Sequence, residues 1–156
     1  MIILTAAQLA SIADAAEAAY PGECCGLLVG NGNRHLRVTR LVPAANLLRD
    51  EAHDRFELDP RIRFETERAV RGTADRIIGH WHSHPDGAAT PSPTDLEQAW
   101  EPDLIWLIVG VTIGTSGRPQ AIQIQAHRLD RRQCRSRSVT LRLAEKSACK
   151  PQGFPT

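Results

Sequence analysis

Apolar and small residues recur every three or four positions from residue 6 to residue 20, with Leu9, Ile12, Ala13, Ala16 and Ala19 on one face. That spacing predicts an amphipathic helix. Thr5 and Gln8 frame its start as a capping box, and Pro21-Gly22 stops it. Residues 24–30 form a short apolar run that ends at Asn31-Gly32-Asn33. The pattern predicts a strand, a turn and a returning strand over 35–42. Residues 44–55 have mixed polarity and no period, so a loop is expected. Asp59-Pro60 predicts a second helix to about residue 70, with Asp as cap and Pro at the first helical position.

Residues 76–82 read as a strand. Residues 83–93 hold three prolines and Gly87 and are expected to be loop, with a short helix over 94–100. The near-continuous apolar run at 104–111 predicts a central strand buried on both faces. Residues 114–119 are a turn. Ile122, Ile124 and Ala126 then alternate with Gln123, Gln125 and His127, marking a half-buried strand. A last strand is expected at 139–143, followed by a frayed end. The order of elements is that of an α/β domain.

With 156 residues, 42% of them hydrophobic, the chain suits one domain with its own core. The formal charge of +1 does not ask for nucleic acid or an anionic membrane as partner. No run approaches the ~18 apolar residues of a membrane span. The N-terminus lacks a positive leader region, and Asp14 and Glu17 interrupt it. The expectation is a cytoplasmic protein. From Arg128 to Lys150 eight Lys/Arg stand against Asp130 and Glu145. This stretch is either a solvated basic tail or a docking surface for an acidic protein. Cys24, Cys25, Cys134 and Cys149 include no C-x-x-C pair, so reduced thiols are expected rather than disulfides or a cysteine zinc site.

Chemistry concentrates in two places. In His82-Ser83-His84-Pro85 the histidines are two apart, and an extended chain turns both to one side. Two imidazoles so placed are a half-site for zinc. A third ligand must come from elsewhere, and Asp95 follows the proline-rich loop. Ser92-Pro93-Thr94-Asp95 also reads as a plain helix start, with Ser92 as cap and Asp95 in the first turn. The two readings are compatible. Glu23, between the helix stop and an apolar strand, is a candidate base for a metal-activated water. His80 shares the parity of the two histidines but is expected to pack in the strand. Trp81 and Trp106 are expected in the core or the site wall, Ser83 as a support for its neighbours, and His53 at the surface. Neither Cys24 nor Cys25 has a base partner, which argues against a cysteine nucleophile. A zinc deaminase would need H-x-E and P-C-x-x-C, and both are absent.

Glu23, then His82-Ser83-His84-Pro85, then six residues and Ser92-Pro93-Thr94-Asp95, resembles the signature of the JAB1/MPN/Mov34 (JAMM) metallopeptidases. The Pro21-x-Glu23-x-Cys25-Gly26 block resembles that family's first motif. The likeness runs from about residue 6 to 129. It implies a single JAB1/MPN-type domain over 1–130, with a central, mostly antiparallel, curved sheet flanked by helices, similar to cytidine deaminases. Residues 131–156 would be a basic C-terminal extension. It implies Zn2+ held by His82, His84 and Asp95, Glu23 as general acid/base, and Ser92 steadying the tetrahedral intermediate. The compact form resembles bacterial members that act on small ubiquitin-like sulfur-carrier proteins, removing or releasing a C-terminal residue such as cysteine. Alternatives are an isopeptidase or peptidase with another substrate, or a non-catalytic MPN scaffold.

Overall fold

The structure, a computed structural model, describes residues 1–51 and 55–145. The expected surface position of His53 lies outside the described residues. The chain opens with a strand that the pattern did not predict, β1 (Ile2–Leu4). Helix α1 (Ala6–Ala19) follows. Its capping box forms as expected: Gln8 N donates to Thr5 Oγ1 at 3.1 Å, and Thr5 N donates to Gln8 Oε1 at 2.8 Å. Strands β2 (Cys25–Asn31) and β3 (Leu36–Ala44) make the expected hairpin. Helix α2 (Pro60–Val70) is capped by Asp59, which accepts from Arg61 N at 2.9 Å. Strand β4 (Arg76–His84) leads through a loop to α3 (Pro93–Gln98). Strands β5 (Ile105–Ile113), β6 (Pro119–Asp130), β7 (Arg135–Val139) and β8 (Leu141–Leu143) complete the chain. Among the described residues no helix is long and apolar enough to cross a membrane.

Two expectations need correction. Strand β4 runs two residues further than predicted, so Ser83 and His84 lie in the sheet and not in the loop. Pro85, which cannot donate to a ladder, ends it. Residues 135–143 also form two strands, where one was expected in an extension. They occupy opposite edges of the sheet, whose order is β7-β6-β5-β4-β2-β3-β1-β8. Only Thr140 separates β7 from β8 in the chain. One residue reaches about 3.8 Å between Cα atoms, so the two edges must meet and the sheet must curl almost closed. Ile2 N donates to Thr140 O at 2.8 Å and carries the β1–β8 ladder up to this corner. The β2–β3, β2–β4, β5–β6 and β6–β7 pairings are antiparallel, whereas β4–β5 is parallel.

Each face of the sheet has its own core. On one face Ile2, Leu28, Val38, Trp81, Leu107 and Val139 gather with Ile12 and Ala16 of α1. On the other face Cys25, Phe56, Ala99, Trp106 and Leu129 form a smaller cluster. Strand alternation sends Trp81 and Ser83 toward the α1 side and His80, His82 and His84 toward the second. The three histidines therefore lie over the smaller cluster, on the side where Phe56 and Trp106 pack.

Candidate metal centre

His82 and His84 meet as the alternation required, with their Nε2 atoms 2.9 Å apart. Asp95, at the third position of α3, closes the group. Its Oδ1 lies 3.2 Å from His82 Nε2 and its Oδ2 lies 3.3 Å from His84 Nε2. All three residues are buried, and their ligand atoms lie within 4.8 Å of one another. Donors at 2.0–2.1 Å from a tetrahedral zinc lie about 3.3 Å from each other. Two imidazole nitrogens and a carboxylate oxygen at these separations fit such an ion in both geometry and chemistry.

The protonation states suit that use. His84 Nδ1 lies 3.1 Å from Ala88 O. A carbonyl only accepts, so Nδ1 carries a proton, and Nε2 is the nitrogen left to face the group. Burial pushes the pKa of His82 down and keeps the ring neutral. Burial pulls on His84 in the same sense, but the neighbouring Asp95 outweighs it and the net shift is upward. Burial would raise Asp95, yet the two imidazoles and the Ser92 N–H hold its carboxyl well below the usual range. The site thus keeps a carboxylate ionised in a buried place.

Ser92 satisfies both sequence readings at once. It caps α3, accepting from Asp95 N at 3.1 Å, and its hydroxyl donates to Asp95 Oδ2 at 2.8 Å. Ser92 N donates to the same oxygen at 2.7 Å. The helix cap is thereby the device that orients the carboxylate. The one hydroxyl proton points at Asp95, and contact with a developing oxyanion requires it to turn.

Glu23 reaches the group through strand register. Cys25 pairs with His82. Cys24 N donates to Ser83 Oγ at 3.0 Å, and Ser83 N donates to Cys24 O at 3.1 Å. The chain thus brings Glu23, two residues before β2, to the end of β4 that carries His84. Glu23 is 4% exposed, and its charge adds to the upward pull on His84. Ser83 is the support expected of it, tying the Glu23 segment to β4. Asn46 adds a second tie. Its Nδ2 donates to Glu23 O at 3.0 Å, while its Oδ1 accepts from Leu48 N and Glu57 N.

His80 packs edge-on to Trp106 at 4.0 Å between ring centroids and stays out of the donor group. Burial drives its pKa down to about 3. Trp81 joins the α1-side core and Trp106 the site wall. Burial raises the thiol of Cys24 and pushes that of Cys25 up to about 12. Neither can supply a thiolate, in keeping with the argument against a cysteine nucleophile. Cys24, Cys25 and Cys134 are all free thiols.

Sequence reasoning missed the residues that aim the loop between β4 and α3. Gly87, at φ +82°, crosses so close to β5 that a Cβ on Gly110 would lie 2.0 Å from Gly87 O. This approach folds the loop back over the sheet, where Ala88 O meets His84. Buried His127 donates from Nε2 to Ala89 O at 2.8 Å. Phe56 stacks on the His82 ring at 4.4 Å. A glycine inside the apolar β5 run was the available signal, because strand glycines mark close backbone approach. Gly110→Ala is expected to push the loop outward and weaken metal binding by about 10- to 100-fold, the range for groups that orient ligands. Competition with a chelating dye reads the affinity directly, and an unchanged value would mean that the close approach does not position the site.

Residues 5–127 match the family described as prokaryotic homologs of the JAB domain. The desampylase of Haloferax volcanii is 35% identical over 88 residues, 56% of this chain and 62% of that protein. The CysO-cysteine peptidase of Mycobacterium tuberculosis is 31% identical over 90 residues, 58% of this chain and 60% of that protein. The chain thus spans about three fifths of the length of these curated relatives. Among solved structures, a protein of Desulfitobacterium hafniense superposes with a TM-score of 0.75 at 28% identity, covering 94% of both chains. A JAB1/MPN domain protein from Archaeoglobus fulgidus shares the fold with a TM-score of 0.54 at 20% identity, covering 93% of this chain and 100% of its own.

Proposed function

The chain belongs to the prokaryotic JAB (JAMM) family, and from that premise we propose that it is a zinc-dependent hydrolase. Its bond is a peptide or isopeptide bond at the C-terminal end of a small ubiquitin-like sulfur-carrier protein. The observation that carries this reading is the convergence of His82, His84 and Asp95 in one buried group, with buried Glu23 near enough for its charge to act on His84. Relatives named desampylase and CysO-cysteine peptidase support the substrate class.

His82, His84 and Asp95 hold the metal, which supplies Lewis acidity toward water and the scissile carbonyl. Glu23 accepts a proton from the attacking water and returns it to the departing amine. Ser92 orients Asp95 and, on rotating its hydroxyl, stabilises negative charge on the carbonyl oxygen. Phe56 and Trp106 wall the site and keep water away from the charged groups.

The test is a carrier protein extended by one residue beyond its terminal Gly-Gly, incubated with the purified full chain. Release of that residue is expected. Removing the metal with a chelator should abolish it and added Zn2+ should restore it. A zinc-loaded protein that leaves every such carrier, and short peptides with the same C-terminus, uncut would sink the hydrolase reading and favour a scaffold.

A further inference from the structure

The turn between β6 and β7 and the outer side of α3 carry exposed groups that the metal centre does not use. Trp100 follows α3 and is 71% exposed. The Arg131 guanidinium lies 3.4 Å from its ring centroid. A groove of about 630 Å3 opens on one side of this pair, lined by Ala99, Pro102, Asp130 and Arg132 together with the pair itself. A hollow of about 350 Å3 is lined by Pro93, Leu96, Glu97, Arg131 and Cys134. Arg131 is common to both. Among the described residues neither Arg131 nor Arg132 has a carboxylate within ion-pair distance, and Arg135 and Arg137 follow, both exposed.

An exposed tryptophan beside unpaired arginines is the composition of a binding hot spot. The plainer account is a latch, in which the cation–π contact only pins the turn to α3. The latch explains Arg131. It does not explain two open hollows that share Arg131, or the further arginines without acidic partners.

We propose that the Trp100–Arg131 surface docks the folded body of the protein substrate, a small protein with a carboxylate-rich face, while its C-terminal tail enters the metal centre. The identity of the occupant rests on the hydrolase reading above. Charge complementarity favours an acidic protein: Arg131 and Arg132 in the lining and exposed Arg135 and Arg137 just beyond it stand against Asp130 and Glu97. Position favours a substrate. Helix α3 is six residues long, about 9 Å, and it carries Asp95 in the metal group and Leu96 and Glu97 in the hollow. A tail of a few extended residues, at roughly 3.3 Å each, spans that distance.

The test separates docking from hydrolysis. The globular domain of each ubiquitin-like carrier encoded in the same genome, made without its tail, is titrated against the full chain by fluorescence anisotropy. Trp100→Ala and Arg131→Ala are expected to raise the Kd by about tenfold or more, with cleavage of a short C-terminal peptide unchanged. Arg131→Lys, which keeps the charge and loses the planar stack, should fall between. Wild-type protein that binds no tail-less carrier, or variants that bind as well as wild type, would overturn the docking proposal. Variants that lose peptide cleavage as fully as carrier binding would assign Trp100 and Arg131 to holding α3 and overturn it too. Self-association lost on Trp100→Ala, without carrier binding, would give the surface to a second copy of the chain. A carrier that binds while the peptide stays uncut would leave docking intact and count against the hydrolase reading alone.

Discussion

Asp95→Asn is expected to lower zinc affinity by more than about 100-fold, since even groups behind the ligands are worth 10–100-fold. The substitution keeps the size of the side chain and removes its charge. It leaves His82 and His84 as two neutral donors, with no anion to offset a dication in a buried place. Asparagine can still accept from Ser92 N and Ser92 Oγ, so the α3 cap survives. Asp95→Ala removes the charge and the capping box together. It should add about 1 kcal/mol of lost stability that the Asn variant does not show. Metal content by mass spectrometry, paired with thermal unfolding of the metal-free proteins, separates the two effects. An Asn variant that still purified with one zinc per chain would exclude Asp95 as a ligand and turn attention to Glu23 as the third donor.

Glu23→Gln is expected to reduce kcat by about 10²- to 10⁴-fold, the usual contribution of a positioned general base, while zinc stays bound. The loss corresponds to about 3–5 kcal/mol in the barrier. The amide is nearly isosteric with the carboxylate, and the backbone here is held by Asn46 and by the Cys24–Ser83 hydrogen bonds. The geometry should therefore persist. Single-turnover cleavage of the extended carrier measures the step without product release. A fall of less than about tenfold with full zinc occupancy would mean that another group moves the proton. A fall accompanied by loss of zinc would make Glu23 part of the metal's ligand set.

Some of the candidate site was legible before any fold was known because its geometry is local. His82 and His84 share a face by strand alternation alone. Ser92 and Asp95 are joined by the reciprocal bonds of a capping box, a relation across three residues. Thr5 and Asp59 announced their helices in the same way. The JAMM signature was readable for the same reason, as short blocks in a fixed order. Phe56, His127, Asn46 and Gly110 were not legible as a group. Each acts on the site through a neighbour distant in the chain: His127 on Ala89, Gly110 on Gly87, Phe56 on His82. The strand expected at 139–143 is present as β8, whereas β7 was missed. Arg135 to Ser138 are all polar and give no apolar alternation, and it is β1, at the other end of the chain, that offers β8 an open edge.

The sequence alone determined the helix starts, the paired imidazoles, the capped carboxylate and the family likeness, because each is set by interactions within a few residues along the backbone. The tertiary structure alone decided that Glu23 stands beside His84, that the Gly87 loop turns back over β5, and that both edges of the sheet meet at Thr140. Those placements depend on strand pairing and close backbone contact across tens of residues, and no local pattern specifies which distant segment supplies the partner.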